Sequence, residues 1–329
     1  MKHLLALFIA LVSCSPAFAA KRPPYTYVRV GNASNVTTPV TPGIVLMGGG
    51  TDVDAAFQWM CGRAGNGDFL VIRATGTDAY NPYIQQLCPA ANSVATLIIP
   101  SLAAANDPAV AAIMQQAEAI WIAGGDQSNY INFWTGTPVQ ATLNARIASG
   151  VPVGGTSAGL NVLTQFIYSA QAAQGATSSQ SLADPFNRYL SFARDFVNLP
   201  ILQGIIGDPH FVTRDRMGRD LAFLCRVAAN NWSSTPRGVA VDEQTALLVD
   251  GSGHATLVGS STAYFLQAPG LPQVCAPKTP LTYDNIAVQR INSSGTFDFN
   301  TWQATGATNY SVSADGGVLT STQPGGSAY

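Results

Sequence analysis

Short apolar runs closed by glycine or other turn residues recur along the first two-thirds of the chain, at Gly43–Met47, Asp68–Ile72, Val94–Ile99, Ala119–Ala123, Val151–Gly154 and Ile201–Ile206. They are continuous rather than alternating, the pattern of strands buried on both faces. Helical stretches fall between most of them, at Asp54–Cys61, Ala109–Ala117 and Pro138–Ser149, and another runs from about Arg214 to Ala229. This alternation predicts an α/β fold, a parallel sheet sandwiched by helices. From Val239 the pattern changes to short alternating strands with Gly, Ser and Pro turns, expected to add antiparallel strands to the same core. Lys21 to Thr41 is rich in Pro and Thr and is expected to wrap the surface. Thr301 to Tyr329 reads as a strand pair or a loose end. There is no internal repeat, and one large domain over residues 21–329 is the expected organisation.

Composition narrows the setting. The chain is 47% hydrophobic and 10% charged, with a net charge of −2. That describes a folded chain with no basic stripe, and excludes nucleic acid as an expected partner. Residues 1–20 have a short basic start, an apolar core too short to span a bilayer, and Ala17-Phe18-Ala19-Ala20. This is the pattern of a signal peptide cleaved near Ala19 or Ala20, and predicts a secreted or periplasmic protein. Leu11-Val12-Ser13-Cys14 also fits a lipobox, which would instead leave a lipoprotein anchored at Cys14. No later segment is apolar for long enough to cross a membrane.

Cys61, Cys88, Cys225 and Cys275 remain after the signal. An even count in an exported chain favours disulfides, and proximity suggests Cys61–Cys88 and Cys225–Cys275, one of three pairings. No Cys-x-x-Cys spacing points to zinc or redox chemistry, so neither metal nor cofactor is expected. Oligomeric state is not legible, and a homodimer stays open.

The chemistry concentrates at Val151-Pro152-Val153-Gly154-Gly155-Thr156-Ser157-Ala158-Gly159. This reads as strand, tight turn and helix, with Ser157 at the tip of Gly-x-Ser-x-Gly, a nucleophile elbow. The first backbone N–H groups of the following helix, Ala158 among them, suit an oxyanion. A serine nucleophile needs a base, and the chain has 3 His. His3 lies in the signal. His254 sits in the turn Asp250-Gly251-Ser252-Gly253-His254, where a histidine is usually just solvated. His210 lies between an apolar strand and a helix, the edge where ligands bind in α/β sheets, and is the favoured base. Asp242 and Glu243, at the end of the strand around Val239–Val241, are both open as the orienting acid. Arg214, Arg216 and Arg219 could grip a carboxylate, or form a solvated face paired with Asp215 and Asp220. Upstream, Gly124–Gly125 could supply an oxyanion amide and Gln127 a substrate contact. Neither this segment nor Gly48-Gly49-Gly50 matches a nucleotide-binding motif.

Together these segments resemble the cyanophycinase family of serine peptidases, relatives of the alpha-aspartyl dipeptidases. The resemblance rests on Gly48-Gly49-Gly50-Thr51-Asp52, Gly124-Gly125-Asp126-Gln127, Gly155-Thr156-Ser157-Ala158-Gly159, Asp208-Pro209-His210-Phe211 with Arg214, Arg216 and Arg219, and Asp242-Glu243-Gln244-Thr245-Ala246. It spans about residues 43–260. It implies a class I glutamine-amidotransferase-like, flavodoxin-like three-layer fold. Ser157 is then nucleophile, His210 base and Glu243 orienting acid, with Gln127, Asp208 and the three arginines lining the substrate site. It also implies cleavage of cyanophycin, an aspartate backbone carrying arginine on each side-chain carboxyl, or of related β-aspartyl peptides. Asn161, the Gln165–Ser181 stretch and the β-rich extension at about 261–329 depart from the family pattern. The rival reading is an α/β-hydrolase esterase that uses Ser157 with His254 and Asp208 or Asp242. A second rival is an inactive binding protein on the same scaffold.

Overall fold

The computed structural model describes residues 22–329. The expected signal segment, its expected cleavage site and Cys14 lie outside the described residues. In chain order the first half is β1 (Thr26–Gly31), β2 (Gly43–Met47), α1 (Asp54–Arg63), β3 (Asp68–Arg73), α2 (Tyr80–Leu87), β4 (Ser93–Ile98), α3 (Leu102–Ala105), α4 (Pro108–Met114), β5 (Ala119–Ile122), α5 (Gln127–Trp134), α6 (Pro138–Ala148), β6 (Val153–Thr156) and α7 (Ala158–Leu163). The second half is β7 (Phe166–Tyr168), α8 (Ser178–Ala183), β8 (Phe192–Arg194), β9 (Ile205–Pro209), α9 (Met217–Ala229), β10 (Arg237–Val241), β11 (Thr245–Asp250), β12 (His254–Gly259), β13 (Ala263–Gln267), β14 (Tyr283–Ile291), β15 (Thr296–Asp298), β16 (Gln303–Thr305), β17 (Thr308–Asp315) and β18 (Val318–Ser321).

The strands form two sheets. The first runs β1-β4-β3-β5-β6-β2-β11-β12-β15-β16, and its centre, β4 to β2, is parallel. The second runs β18-β17-β14-β13-β10-β9-β7-β8, with β10, β9 and β7 parallel. The continuous apolar strands have the predicted cause. Every residue of β2 is buried, Val45 and Met47 under α1 and α2, Ile44 and Leu46 in the core that faces Ile205, Val239 and Phe265 of the second sheet. The outer face of the second sheet is covered by α9, through Leu221, Phe223, Leu224 and Val227.

The α/β class and the added C-terminal strands are as the sequence predicts, with three refinements. The strand that leads to His210 belongs to the second sheet, not to the central one. It also begins at Ile205, because Pro200 opens a 3-10 turn over Pro200–Leu202 and takes those residues out of the strand. The Pro- and Thr-rich leader supplies an edge strand, β1, antiparallel to β4. The four cysteines pair as Cys61–Cys88 and Cys225–Cys275, with Cα separations of 6.3 and 6.1 Å. Among the described residues no helix is long and apolar enough to cross a membrane.

Candidate active site

β6 extends to Thr156, two residues beyond the apolar run, so Ser157 sits directly between strand and helix. It is held at φ +54°, ψ −113°, a conformation that costs a non-glycine residue about 1–3 kcal/mol and persists only where neighbours impose it. The neighbours are close: a Cβ on Gly159 would lie 2.0 Å from the carbonyl oxygen of Ile122. The second glycine of the motif is therefore required by the approach of α7 to β5. The Ser157 N–H donates to the Met47 carbonyl at 3.0 Å, continuing the β2–β6 ladder into the turn.

His210 follows β9 and Glu243 follows β10, two parallel neighbours in the second sheet. Their side chains meet Ser157 across the ends of the two sheets. Ser157 Oγ lies 2.7 Å from His210 Nε2, and His210 Nδ1 lies 2.5 Å from Glu243 Oε1. The imidazole is almost wholly enclosed, and burial pushes its pKa below the usual histidine range. The hydrogen bond to Glu243 opposes this, and the charges of Arg214 and Arg216 add to it. A neutral imidazole beside a serine hydroxyl is the state a general base requires. Asp242 points the other way. Its Oδ1 accepts from the N–H groups of Val212 and Thr213 and from the Thr213 hydroxyl, and its Oδ2 from Ser261. Burial raises its pKa, but these donors outweigh it and hold the carboxylate ionised. Asp242 thus fixes the loop after His210 without touching the imidazole.

The three arginines separate. Arg219 is buried and forks onto Asp208, which has no exposed surface at all; Nε lies 3.1 Å from Oδ2, and Nη2 also pairs with Oδ1. Arg216 reaches the same carboxylate at 3.3 Å and donates to the Pro209 carbonyl at 2.6 Å. Burial lowers its pKa to about 10, which leaves it charged. Asp208, Arg216 and Arg219, expected to line the substrate site, pair with one another behind His210, two guanidiniums on one carboxylate. The alternative of a solvated face is corrected, since Asp220 is fully buried and unpaired, while Asp215 accepts from the Tyr329 hydroxyl. Only Arg214 stays at the site, half exposed and 3.6 Å from Glu243 Oε1.

The Gly124–Gly125 turn runs beside the serine; a Cβ on Gly124 would lie 3.6 Å from that of Ser157. Ala158 is the first residue of α7, where backbone N–H groups lack helical partners. Gln127 is half-buried and donates to the Tyr168 carbonyl at 3.2 Å, on the chain that leads from β7. His254 does not join Ser157. Its Nδ1 meets Ser252 Oγ at 2.8 Å and its Nε2 lies 3.4 Å from Asp298, on an exposed hairpin. This overturns the rival pairing of Ser157 with His254. A cavity of about 260 Å³ opens at Ser157, lined also by Gly49, Gly50, Asp52, Arg73, Tyr80 and Thr156. Sequence reading passed over Arg73 and Tyr80. The signal was available: Arg73 ends a parallel strand, β3, at the carboxyl edge where α/β sheets bind ligands.

The family model for peptidase family S51 matches residues 44–257. Cyanophycinases from Trichormus variabilis and from a Nostoc species are each 25% identical over 57% of this chain and 59% of their own length, and one from Geminocystis herdmanii is 24% identical over 58% and 65%. The chain thus spans about three-fifths of the curated relatives it matches. The crystal structure of a peptidase from an acI-B1 actinobacterium covers 69% of this chain and 91% of its own, at 16% identity and a TM-score of 0.50, and shares the fold. With the match to the family model covering well over half of its length, the chain belongs to peptidase family S51, a family of serine-type peptidases.

Proposed function

We propose that the protein is an exported serine exopeptidase that hydrolyses cyanophycin to β-aspartyl-arginine dipeptides through an acyl-enzyme on Ser157. The observation that carries this reading is the hydrogen-bonded run Ser157–His210–Glu243 at a strained elbow. Ser157 Oγ attacks the scissile carbonyl while His210 Nε2 takes its proton. Glu243 holds the imidazole by Nδ1 and stabilises the imidazolium that forms. The backbone amides of Ala158 and Gly125 face the oxyanion. The C–N bond breaks, His210 returns the proton to the leaving amine, and water then cleaves the ester by the same route in reverse roles. The cyanophycinase relatives support the polymer as substrate, with β-aspartyl peptides as the shorter equivalent. The signal pattern supports export, and two disulfides fit an oxidising compartment.

The test is incubation of the mature protein with purified cyanophycin, products read by mass spectrometry, beside Ser157→Ala. Release of β-aspartyl-arginine by the wild type alone is the expected result. No release from a folded, disulfide-intact sample would overturn the polymer as substrate, and equal release by Ser157→Ala would overturn the mechanism.

A further inference from the structure

The cavity at Ser157 is lined by one cation and one anion, the side chains of Arg73 and Asp52. Arg73 is half-buried in its wall. Its Nε donates to the Thr75 carbonyl at 2.5 Å and its Nη1 to that of Thr77 at 3.0 Å, which orients the guanidinium on its own loop. Its Nη2 donates to nothing among the described residues, and no carboxylate among them lies within ion-pair distance. A Cβ on Gly76 would lie 2.4 Å from Cζ and Nη2, so glycine there leaves room for the guanidinium. The Asp52 carboxylate lines the same cavity, as does Tyr80; its pKa is raised by burial, with Tyr80 and Arg73 opposing. A half-buried charge without a partner is costly, and a ligand that supplies the opposite charge removes that cost.

We propose that this cavity is a specificity subsite for a substrate residue that bears both a carboxylate and a cationic side chain, with Arg73 taking the carboxylate and Asp52 the cation. This rests on the β-aspartyl-arginine reading above and sharpens it. An arginine joined through its α-amino group to an aspartyl side chain keeps its α-carboxylate and its guanidinium free, one for each charge in the cavity. A residue with a single charge satisfies one of them and leaves the other unpaired, so the cavity discriminates by penalty as well as by attraction.

The experiment compares Nα-acetyl-L-arginine, Nα-acetyl-L-citrulline and Nα-acetyl-L-argininamide, titrated by ligand-observed NMR into the Ser157→Ala protein. Citrulline removes only the cation and the amide only the carboxylate. The arginine derivative is expected to bind at least about tenfold tighter than either, since each comparison deletes one charge-assisted contact. Asp52→Asn should abolish the preference over citrulline and keep that over the amide. Arg73→Gln should do the converse, and Arg73→Lys, which keeps the charge, should retain the preference over the amide even where Arg73→Gln fails to fold. Equal binding of the three ligands, or preferences unmoved by Asp52→Asn, would overturn the subsite. If cyanophycin is cleaved while the ligands bind alike, the subsite alone falls. If the preferences hold while cyanophycin is untouched, the proposed substrate falls and the subsite stands.

Discussion

The backbone N–H of His210 donates to the carbonyl oxygen of Gly48 at 2.8 Å, so the residue that carries the imidazole is tied to the end of β2. The carbonyls on either side do the same for the rest of the site. Met47 accepts from Ser157 at 3.0 Å, and Gly49 accepts from Gln244, the residue after Glu243, at 2.8 Å. Three consecutive peptide groups thus set the positions of three side chains that come from residues 157, 210 and 243, and they do so where the two sheets meet. The Gly48–Gly50 segment is a scaffold for protein groups.

Gly49→Ala tests this directly. Gly49 has φ +101°, and a Cβ there would lie 2.3 Å from His210 Cε1. The imidazole must shift by an ångström or more, and misplacement on that scale costs about 100-fold in rate. The variant should keep its far-UV circular dichroism and lose about that factor in kcat/KM. Gly62→Ala, in α1 with nothing within 4 Å of its Cβ, should leave turnover alone. Equal kinetics for the two variants would sink the scaffold role.

Much of this was legible because it is local. Val151–Gly159 states strand, turn and helix within nine residues, and the continuous apolar runs state burial on both faces. What was not legible depends on pairing between distant segments. Nothing in Ile201–Ile206 says that its strand joins β10 and β7 rather than the central sheet. Nothing near Arg216 or Arg219 says that both turn inward to Asp208, because a charged residue on a helix is solvated unless another element brings a buried counter-charge. Nothing in the Gly48–Gly50 run says which groups crowd it; His210 and Glu243 arrive there from residues far along the chain.

Arg214 should set the acid limb of the pH profile. Burial, with Arg214 and Arg216 adding, lowers the His210 pKa, so the neutral base persists below the usual histidine range. Removing the Arg214 charge stabilises the imidazolium, raises that pKa and moves the acid limb of kcat/KM to higher pH. Arg214 is half exposed, so the displacement should shrink in high salt. A profile of kcat/KM against pH for Arg214→Gln at low and high ionic strength reads both effects. An acid limb that moves downward or not at all would remove Arg214 from this role.

Arg219→Met should act on stability rather than on substrate affinity. It would leave Asp208, which has no exposed surface, with Arg216 as its one cation. Leaving a buried charge with no partner costs about 3–5 kcal/mol, and because Arg216 remains the loss here should approach the lower end of that range. Urea unfolding at neutral pH should show a loss of that order, against less than about 0.5 kcal/mol for Arg214→Gln, whose side chain is half exposed. A raised KM with unchanged stability in Arg219→Met would return Arg219 to the substrate site.

Asp220 gives the folded state a pH dependence of its own. It faces the second sheet from α9, wholly buried, and neither carboxyl oxygen has a partner among the described residues; a Cβ on Gly238 would lie 2.8 Å from one of them. Both neighbouring arginines are taken by Asp208. Burial raises the Asp220 pKa well above the usual carboxylate range, the Asp208 charge raises it further, and Arg219 opposes. The folded chain therefore holds a proton here at pH values where the unfolded chain has released it. A raised folded-state pKa means that the contribution to stability is complete below the unfolded pKa and is lost as pH rises toward the folded one. Each pH unit within that window lowers stability by about 1.4 kcal/mol. Asn has nearly the same shape and cannot ionise. Asp220→Asn should therefore gain on the wild type as pH rises, and urea midpoints at pH 5 and pH 8, disulfides intact, should show the larger gain at pH 8. An equal difference at both pH values would mean that Asp220 is ionised in the fold and that Arg219 is shared between the two aspartates.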